Sequence, residues 1–204
     1  MDAPSFRYFT KMAKGIRFGT AVIEAKRLFI GLELPEACRK TLADLDPELP
    51  GLRWLPSSQL HLTMSFLGQV NTAGESVLCG ALSAVKVPPF LLPLCGLGVF
   101  NARGRPSVVW AGVGKGHPHL FALHHHIQDA VLHAGLEADL KPFHPHVTVA
   151  RVRNLSSQAL KPFLRRHAEA EFGLFQVTSF TLFSSDLLPE GAKHHAESSF
   201  PLAS

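Results

Sequence analysis

The sequence predicts an α+β protein, a bilobal pseudo-twofold duplication of antiparallel sheet plus helices with a central cleft. Three observations predict it. Strand-like and helix-like segments follow one another in roughly the same order twice along the 204 residues. Short connections rich in Pro and Gly separate them, which suits antiparallel pairing better than a doubly wound sheet. The pattern His-x-Thr-x occurs once in each half, as His61-Leu62-Thr63-Met64 and His146-Val147-Thr148-Val149.

The elements run as follows. Residues 28–34 (LFIGLEL) read as a buried strand, and Pro35 opens a helix to about Asp46, where its missing N–H is cheap. Residues 52–55 suit a short strand before the Pro56-Ser57-Ser58 turn, and residues 60–67 (LHLTMSFL) a strand ended by Gly68. Residues 73–86 read as a helix stopped by Pro88-Pro89. Residues 90–100 and 107–113 form two strands joined by the turn at Asn101–Pro106. The second round begins with a helix over 118–134, where Leu120, Leu123, Ile127 and Val131 recur at spacings of three and four. A strand over 145–152, a helix over 156–168 and one long or two short strands over 171–184 follow, and residues near 196–202 add an edge strand.

Bulk properties agree with an ordinary globule: 46% apolar and 18% charged residues, net charge +4, and no apolar run near the roughly 20 residues that cross a bilayer. The positive charge favours a polyanionic partner mildly. Residues 1–26 carry Arg7, Lys11, Lys14, Arg17 and Lys26, and charges interrupt every apolar stretch, which argues against a signal peptide. They read as a poorly ordered arm, or as a start codon placed too early with Met12 as the alternative, ahead of a single bilobal domain over 27–204. Three cysteines without metal-like spacing suit a reduced, cytoplasmic protein. It is expected to act as a monomer, with no membrane and no cofactor.

The chemistry lies in the repeated tetrapeptide. Side chains at i and i+2 share one side of a strand, so His61 and Thr63 face one way and Leu62 and Met64 the other; His146 and Thr148 oppose Val147 and Val149 likewise. If the two lobes face one another, two imidazoles and two hydroxyls surround one small anion. A cyclic phosphodiester suits such a quartet. One imidazole takes a proton from water, the other gives one to the departing ribose oxygen, and the threonines donate to the non-bridging oxygens. Ring strain in the cyclic phosphate removes the need for a metal. A single His-x-Thr-x is a chance pattern; two copies at equivalent places are not.

These motifs, together with Arg27-Leu28-Phe29-Ile30-Gly31-Leu32-Glu33-Leu34-Pro35, Arg53-Trp54, Gly96-Leu97-Gly98-Val99-Phe100, Arg105-Pro106, Val109-Trp110 and Pro142-Phe143-His144-Pro145, resemble the 2H phosphoesterase superfamily. Within it the chain is similar to the bacterial and archaeal RNA 2′,3′-cyclic phosphodiesterases, also called 2′-5′ RNA ligases or LigT-like proteins. The resemblance implies a cleft between two α+β halves and hydrolysis of RNA 2′,3′-cyclic phosphate ends to 2′-phosphates. It implies His61 as proton donor and His146 as proton acceptor, roles that the residues alone leave interchangeable. It also implies reversible 2′-5′ RNA joining. Met64 stands where the family more often has Leu, and the first 26 residues lie outside the pattern.

Further site candidates carry competing readings. Arg151 is a phosphate contact by family position, yet strict alternation puts it on the face opposite His146 unless a bulge redirects it. Phe66 and Phe143 are candidates for stacking on a base, with core packing as the alternative, and Trp54 and Trp110 read as core. His144 shares the parity of His146. Arg53, Arg103, Arg105, Lys141 and Arg153 either flank an RNA path or are solvated. His117, His119 and His124-His125-His126 lack zinc-site spacing and read as surface, and His194-His195 as a solvated turn. A non-catalytic RNA-end binding module with the same cleft is the alternative function, and a metal-dependent hydrolase using the surplus histidines a third.

Overall fold

The computed structural model describes residues 24–139, 141–188 and 191–203. The strands are β1 (Ala25–Glu33), β2 (Leu52–Trp54), β3 (His61–Asn71), β4 (Phe90–Ala102), β5 (Arg105–Gly112), β6 (His146–Val152), β7 (Glu171–Val177), β8 (Ser179–Leu188) and β9 (Gly191–Pro201). The helices are α1 (Glu36–Ala43), α2 (Thr72–Ser83), α3 (Pro118–His133) and α4 (Ser157–Arg166), with one 3₁₀ turn at Ser57–Gln59. All nine strands join one antiparallel sheet in the order β7-β4-β5-β6-β3-β1-β8-β9, with β2 also paired to β6.

The order explains both the repeat and its disguise. The two His-bearing strands, β3 and β6, lie side by side in the middle of the sheet, paired at Leu62 and Val147. Outward from β3 run β1, β8 and β9; outward from β6 run β5, β4 and β7. The chain therefore exchanges hairpins between halves. The β4–β5 hairpin, early in the chain, completes the β6 side, and the β8–β9 hairpin, at its end, completes the β3 side. The expected α+β duplication of antiparallel sheet plus helices holds, with its two halves as the wings of one continuous sheet and the motifs side by side where the wings meet.

The other face is the core. Leu62, Val147 and Val149 are fully buried, Met64 nearly so, and the α3 stripe Leu120, Leu123, Ile127 and Val131 is fully buried with them. Each such side chain contributes about 1.5–3 kcal/mol by leaving water. The α3 helix starts as the sequence suggests, with Pro118 in its first turn and the His117 Nδ1 accepting from the His119 N–H at 3.1 Å.

Several boundaries differ from expectation. Strand β1 begins at Ala25, ahead of the strand expected over 28–34; Lys26 pairs opposite Val70, and its Nζ reaches Glu75 at 3.1 Å and Glu197 at 2.7 Å. The rest of the expected arm, residues 1–23, lies outside the described residues. Strand β3 does not end at Gly68 but passes through it to Asn71, because a register shift beside Gly68, whose φ is +72°, keeps the β1 ladder in phase. The 171–184 segment is two strands. The last strand starts at Gly191, not near 196, which places His194 and His195 in the sheet and not in a solvated turn. Among the described residues no helix is long and apolar enough to cross a membrane.

Candidate active site

With Leu62 opposite Val147, the antiparallel register sets His61 beside Thr148 and Thr63 beside His146. The four polar side chains form a two-by-two block on the face away from the core, and all four are part-buried. The imidazoles occupy one diagonal and the hydroxyls the other. Diagonal neighbours in such a pair have backbones about 7–8 Å apart, a separation that leaves room for a small anion between two rings. On one flank Glu33 and Gly31 of β1 pair with His61 and Thr63; on the other Gly112 and Trp110 of β5 pair with His146 and Thr148.

Both rings are held in the same way. The His61 Nδ1 lies 2.8 Å from the Gln59 carbonyl oxygen, and the His146 Nδ1 lies 2.6 Å from the His144 carbonyl oxygen. A carbonyl only accepts, so each Nδ1 carries a hydrogen and donates it. The same i to i−2 bond at both positions locks both neutral rings into one tautomer and leaves Nε2 as the working nitrogen of each.

Burial holds both imidazoles neutral. The His61 pKa is lowered to about 4, first by desolvation, then by the nearby His194 and, more weakly, His146, against the favourable Gln59 carbonyl. The His146 pKa is also lowered, chiefly by desolvation, with the His144 carbonyl opposing. Each ring sits in an aromatic collar. Around His61 are Phe29 at 4.8 Å, Phe183 at 6.1 Å and His194 edge-on at 5.0 Å. Around His146 are Phe100 edge-on at 4.9 Å, Trp110 at 6.3 Å and His144 at 6.2 Å.

The bulge needed to redirect Arg151 exists. In β6 the partner of Val109 is Ala150 while the partner of Trp110 is Thr148, so Val149 is the extra residue and alternation restarts after it. Ala150 joins Val147 and Val149 in the core, and Arg151 emerges exposed on the His146 face. The same device operates in β3. Ser65 pairs with Ile30 while Thr63 pairs with Gly31, leaving Met64 as the extra residue. Ser65 turns inward, and Phe66 emerges on the His61 face, 58% exposed and 6.1 Å from Phe29. Phe66 is thus not core, and it is the pseudo-symmetric counterpart of Arg151. Arg53 is the register partner of Arg151 on β2, and its guanidinium lies against Gly191 at the start of β9.

The remaining candidates divide. His144 is exposed and stands edge-on to Phe100 at 5.3 Å and to Trp110 at 5.1 Å, beside His146. Phe143 is away from the quartet, stacked on His124 at 3.9 Å. Trp54 is structural, its Nε1 donating to the Leu42 carbonyl at 3.0 Å. Trp110 is not simple core: its ring lies over Gly98, its partner on β4, and borders the His146 collar. A Cβ at Gly98 would fall 2.2 Å from that ring, so only glycine fits beneath it. His194, read from the sequence as a solvated turn, stands beside His61 with ring centroids 5.0 Å apart. The signal missed was a β8–β9 hairpin folding back beside β1, a long-range pairing that no local pattern encodes. Among the described residues no three or more His, Cys, Asp or Glu side chains are grouped to hold a metal ion.

Comparison with known proteins places this geometry. A family model described as the 2'-5' RNA ligase superfamily matches residues 34–187. An RNA 2′,3′-cyclic phosphodiesterase of Aquifex aeolicus is 30% identical over 172 residues, covering 81% of this chain and 91% of its own. One of Geobacillus stearothermophilus is 32% identical over 172 residues, 83% of this chain but 54% of the relative, so this chain spans about half that protein's length. The crystal structure of E. coli LigT complexed with 3'-AMP matches with a TM-score of 0.75 and 27% identity, over 89% of this chain and 100% of that one. The sheet with its paired His-x-Thr-x strands, the matched span and these relatives together make the chain a member of the 2'-5' RNA ligase superfamily.

Proposed function

We propose that this protein hydrolyses RNA 2′,3′-cyclic phosphate ends to 2′-phosphates with His61 and His146 as its acid–base pair. The observation that carries the reading is the diagonal quartet, in which each imidazole is fixed through Nδ1 by the carbonyl two residues upstream and presents Nε2 to the same face. The names of the Aquifex and Geobacillus relatives support the substrate class.

In this mechanism the cyclic phosphate lies over the block. The Thr63 and Thr148 hydroxyls donate to its non-bridging oxygens, where negative charge grows in the transition state. His146, neutral at pH 7, accepts a proton from water as the water attacks phosphorus. His61 gives a proton to the leaving 3′ oxygen from the opposite side. Free His61 is neutral near pH 7, so it must take up that proton as the anionic substrate arrives and offsets the cost of a buried cation. The choice of His61 as the acid and His146 as the base follows the resemblance to the cyclic phosphodiesterases, since the two rings are held alike. Arg151 is positioned for a neighbouring phosphate, and Phe66 offers an open ring face for a base. The same ring opening with a 5′ hydroxyl in place of water as nucleophile, breaking the same bond to the 3′ oxygen, would join the cyclic end to a second strand through a 2′-5′ linkage.

The test is incubation with an oligoribonucleotide bearing a 2′,3′-cyclic phosphate, with the product end identified. A 2′-phosphate is expected. A 3′-phosphate would reverse the assigned leaving oxygen, and binding without any cleavage would make the chain an RNA-end binding module.

A further inference from the structure

His194 stands at the His61 side of the site with nothing in the two-histidine scheme to occupy it. Its ring meets His61 edge-on at 5.0 Å and Phe29 edge-on at 4.9 Å, so all three form one cluster on the face that carries the motifs. Its neighbour turns away, with the His195 Nε2 3.1 Å from an Asp186 carboxylate oxygen at the surface. The His194 Nδ1 is enclosed and has no hydrogen-bond partner among the described residues. The Nε2 is not among the enclosed, unpartnered nitrogens and the residue is only part-buried, so Nε2 is the ring nitrogen left to meet a ligand.

The enclosed nitrogen decides the tautomer. A hydrogen on Nδ1 would be a buried donor with no acceptor, which native structures rarely contain, whereas an unshared lone pair there is tolerated better. Near neutral pH the ring is uncharged, because burial and the adjacent His195 lower its pKa. The neutral ring therefore carries its hydrogen on Nε2. That is the opposite of His61 and His146, whose Nδ1 hydrogens are committed to carbonyls and whose Nε2 atoms are bare. The resting site thus holds two nitrogen bases and one nitrogen donor. Of the three rings His61, His146 and His194, only His194 then presents a free N–H to an anion that enters before any proton uptake.

We propose that His194 is a third imidazole of the site, donating its Nε2–H to an anionic oxygen of the phosphoester beside His61. This rests on the cyclic-phosphate reading of the site and adds a substrate-binding group to it. The groups around His194 are consistent with that task. His61 faces it from β3, Lys193 and His195 flank it on β9, and Asp186 on β8 is engaged with His195.

Two measurements test it. The variant His194→Phe keeps the ring against Phe29 and removes the donor. Its KM for a 2′,3′-cyclic nucleotide should rise about 10- to 100-fold, the loss expected for one hydrogen bond to a charged group. Its kcat should stay within a few-fold of wild type, and inhibition by inorganic phosphate should weaken in parallel. His194→Gln, which restores an N–H, should recover part of the affinity, and His195→Ala should behave as wild type. On the unaltered protein, imidazole nitrogen NMR should show His194 as the Nε2–H tautomer, with that nitrogen shifting as inorganic phosphate is added. Wild-type KM and phosphate inhibition in His194→Phe would overturn the proposal, as would an Nδ1–H tautomer or an Nε2 indifferent to phosphate. If the wild-type protein leaves cyclic phosphates uncleaved, the functional reading fails, and the phosphate titration still decides the role of His194.

Discussion

Acidification of the free protein tests the site without any substrate. His61 is held neutral by burial, with a pKa of about 4 against about 6.5 in an unfolded chain. Between those values the unfolded chain binds a proton that the folded site refuses. Unfolding free energy therefore rises with pH across this window, and the stability associated with His61 is complete above pH 6.5 and lost as pH falls towards 4. A gap of about 2.5 pH units at about 1.36 kcal/mol per unit amounts to about 3 kcal/mol from this one ring, a large fraction of a typical domain's stability. The assay is urea unfolding at pH 7, 6, 5 and 4 for wild type and for His61→Phe, which keeps a ring against Phe29 and Phe183 but cannot take a proton. Carboxylates and the other histidines titrate in both proteins and cancel in the difference. The variant should gain on wild type by up to about 3 kcal/mol as pH falls from 7 to 4. Parallel curves would refute the claim that His61 is desolvated, and with it the argument that His61 takes up its proton only as the anionic substrate binds.

Other outcomes follow from the same geometry. His61→Ala and His146→Ala should each lower cyclic-phosphate turnover at least about 10²-fold with the fold retained, and near wild-type rates in both would end the two-imidazole mechanism. Thr63→Val and Thr148→Val replace a hydroxyl by a methyl of similar size, and each should lower kcat about 10²- to 10³-fold while urea midpoints barely move. Activity should survive exhaustive EDTA dialysis; loss reversed by adding a divalent cation would put a metal in the mechanism. Gly98→Ala drives a methyl into the Trp110 ring and should cost about 1–3 kcal/mol in urea unfolding; an unchanged midpoint would show that the indole moves freely.

Much of this protein was legible in one dimension because its decisive pattern is local. His-x-Thr-x on a strand sorts polar from apolar side chains by the two-residue period of extended backbone, and Leu62, Met64, Val147 and Val149 do line the core. The α3 stripe and its Pro118 start are equally local. Short-range signals also marked α2, which the Asn71 side chain caps by accepting from the Gly74 N–H at 2.8 Å.

Tertiary structure decided the rest, and for one physical reason: register and strand order depend on partners distant along the chain. Alternation alone put Arg151 on the wrong face, because the bulge at Val149 exists only in the pairing of β6 with β5. The bulge at Met64 likewise exists only against β1, and it is what turns Phe66 out to the site. The sheet order set the two motifs of the repeat side by side, and the closing hairpin carried His194 to His61. The two imidazoles and two hydroxyls could be named from the residues alone. Their diagonal arrangement, their shared tautomer and the third ring beside them required the folded sheet.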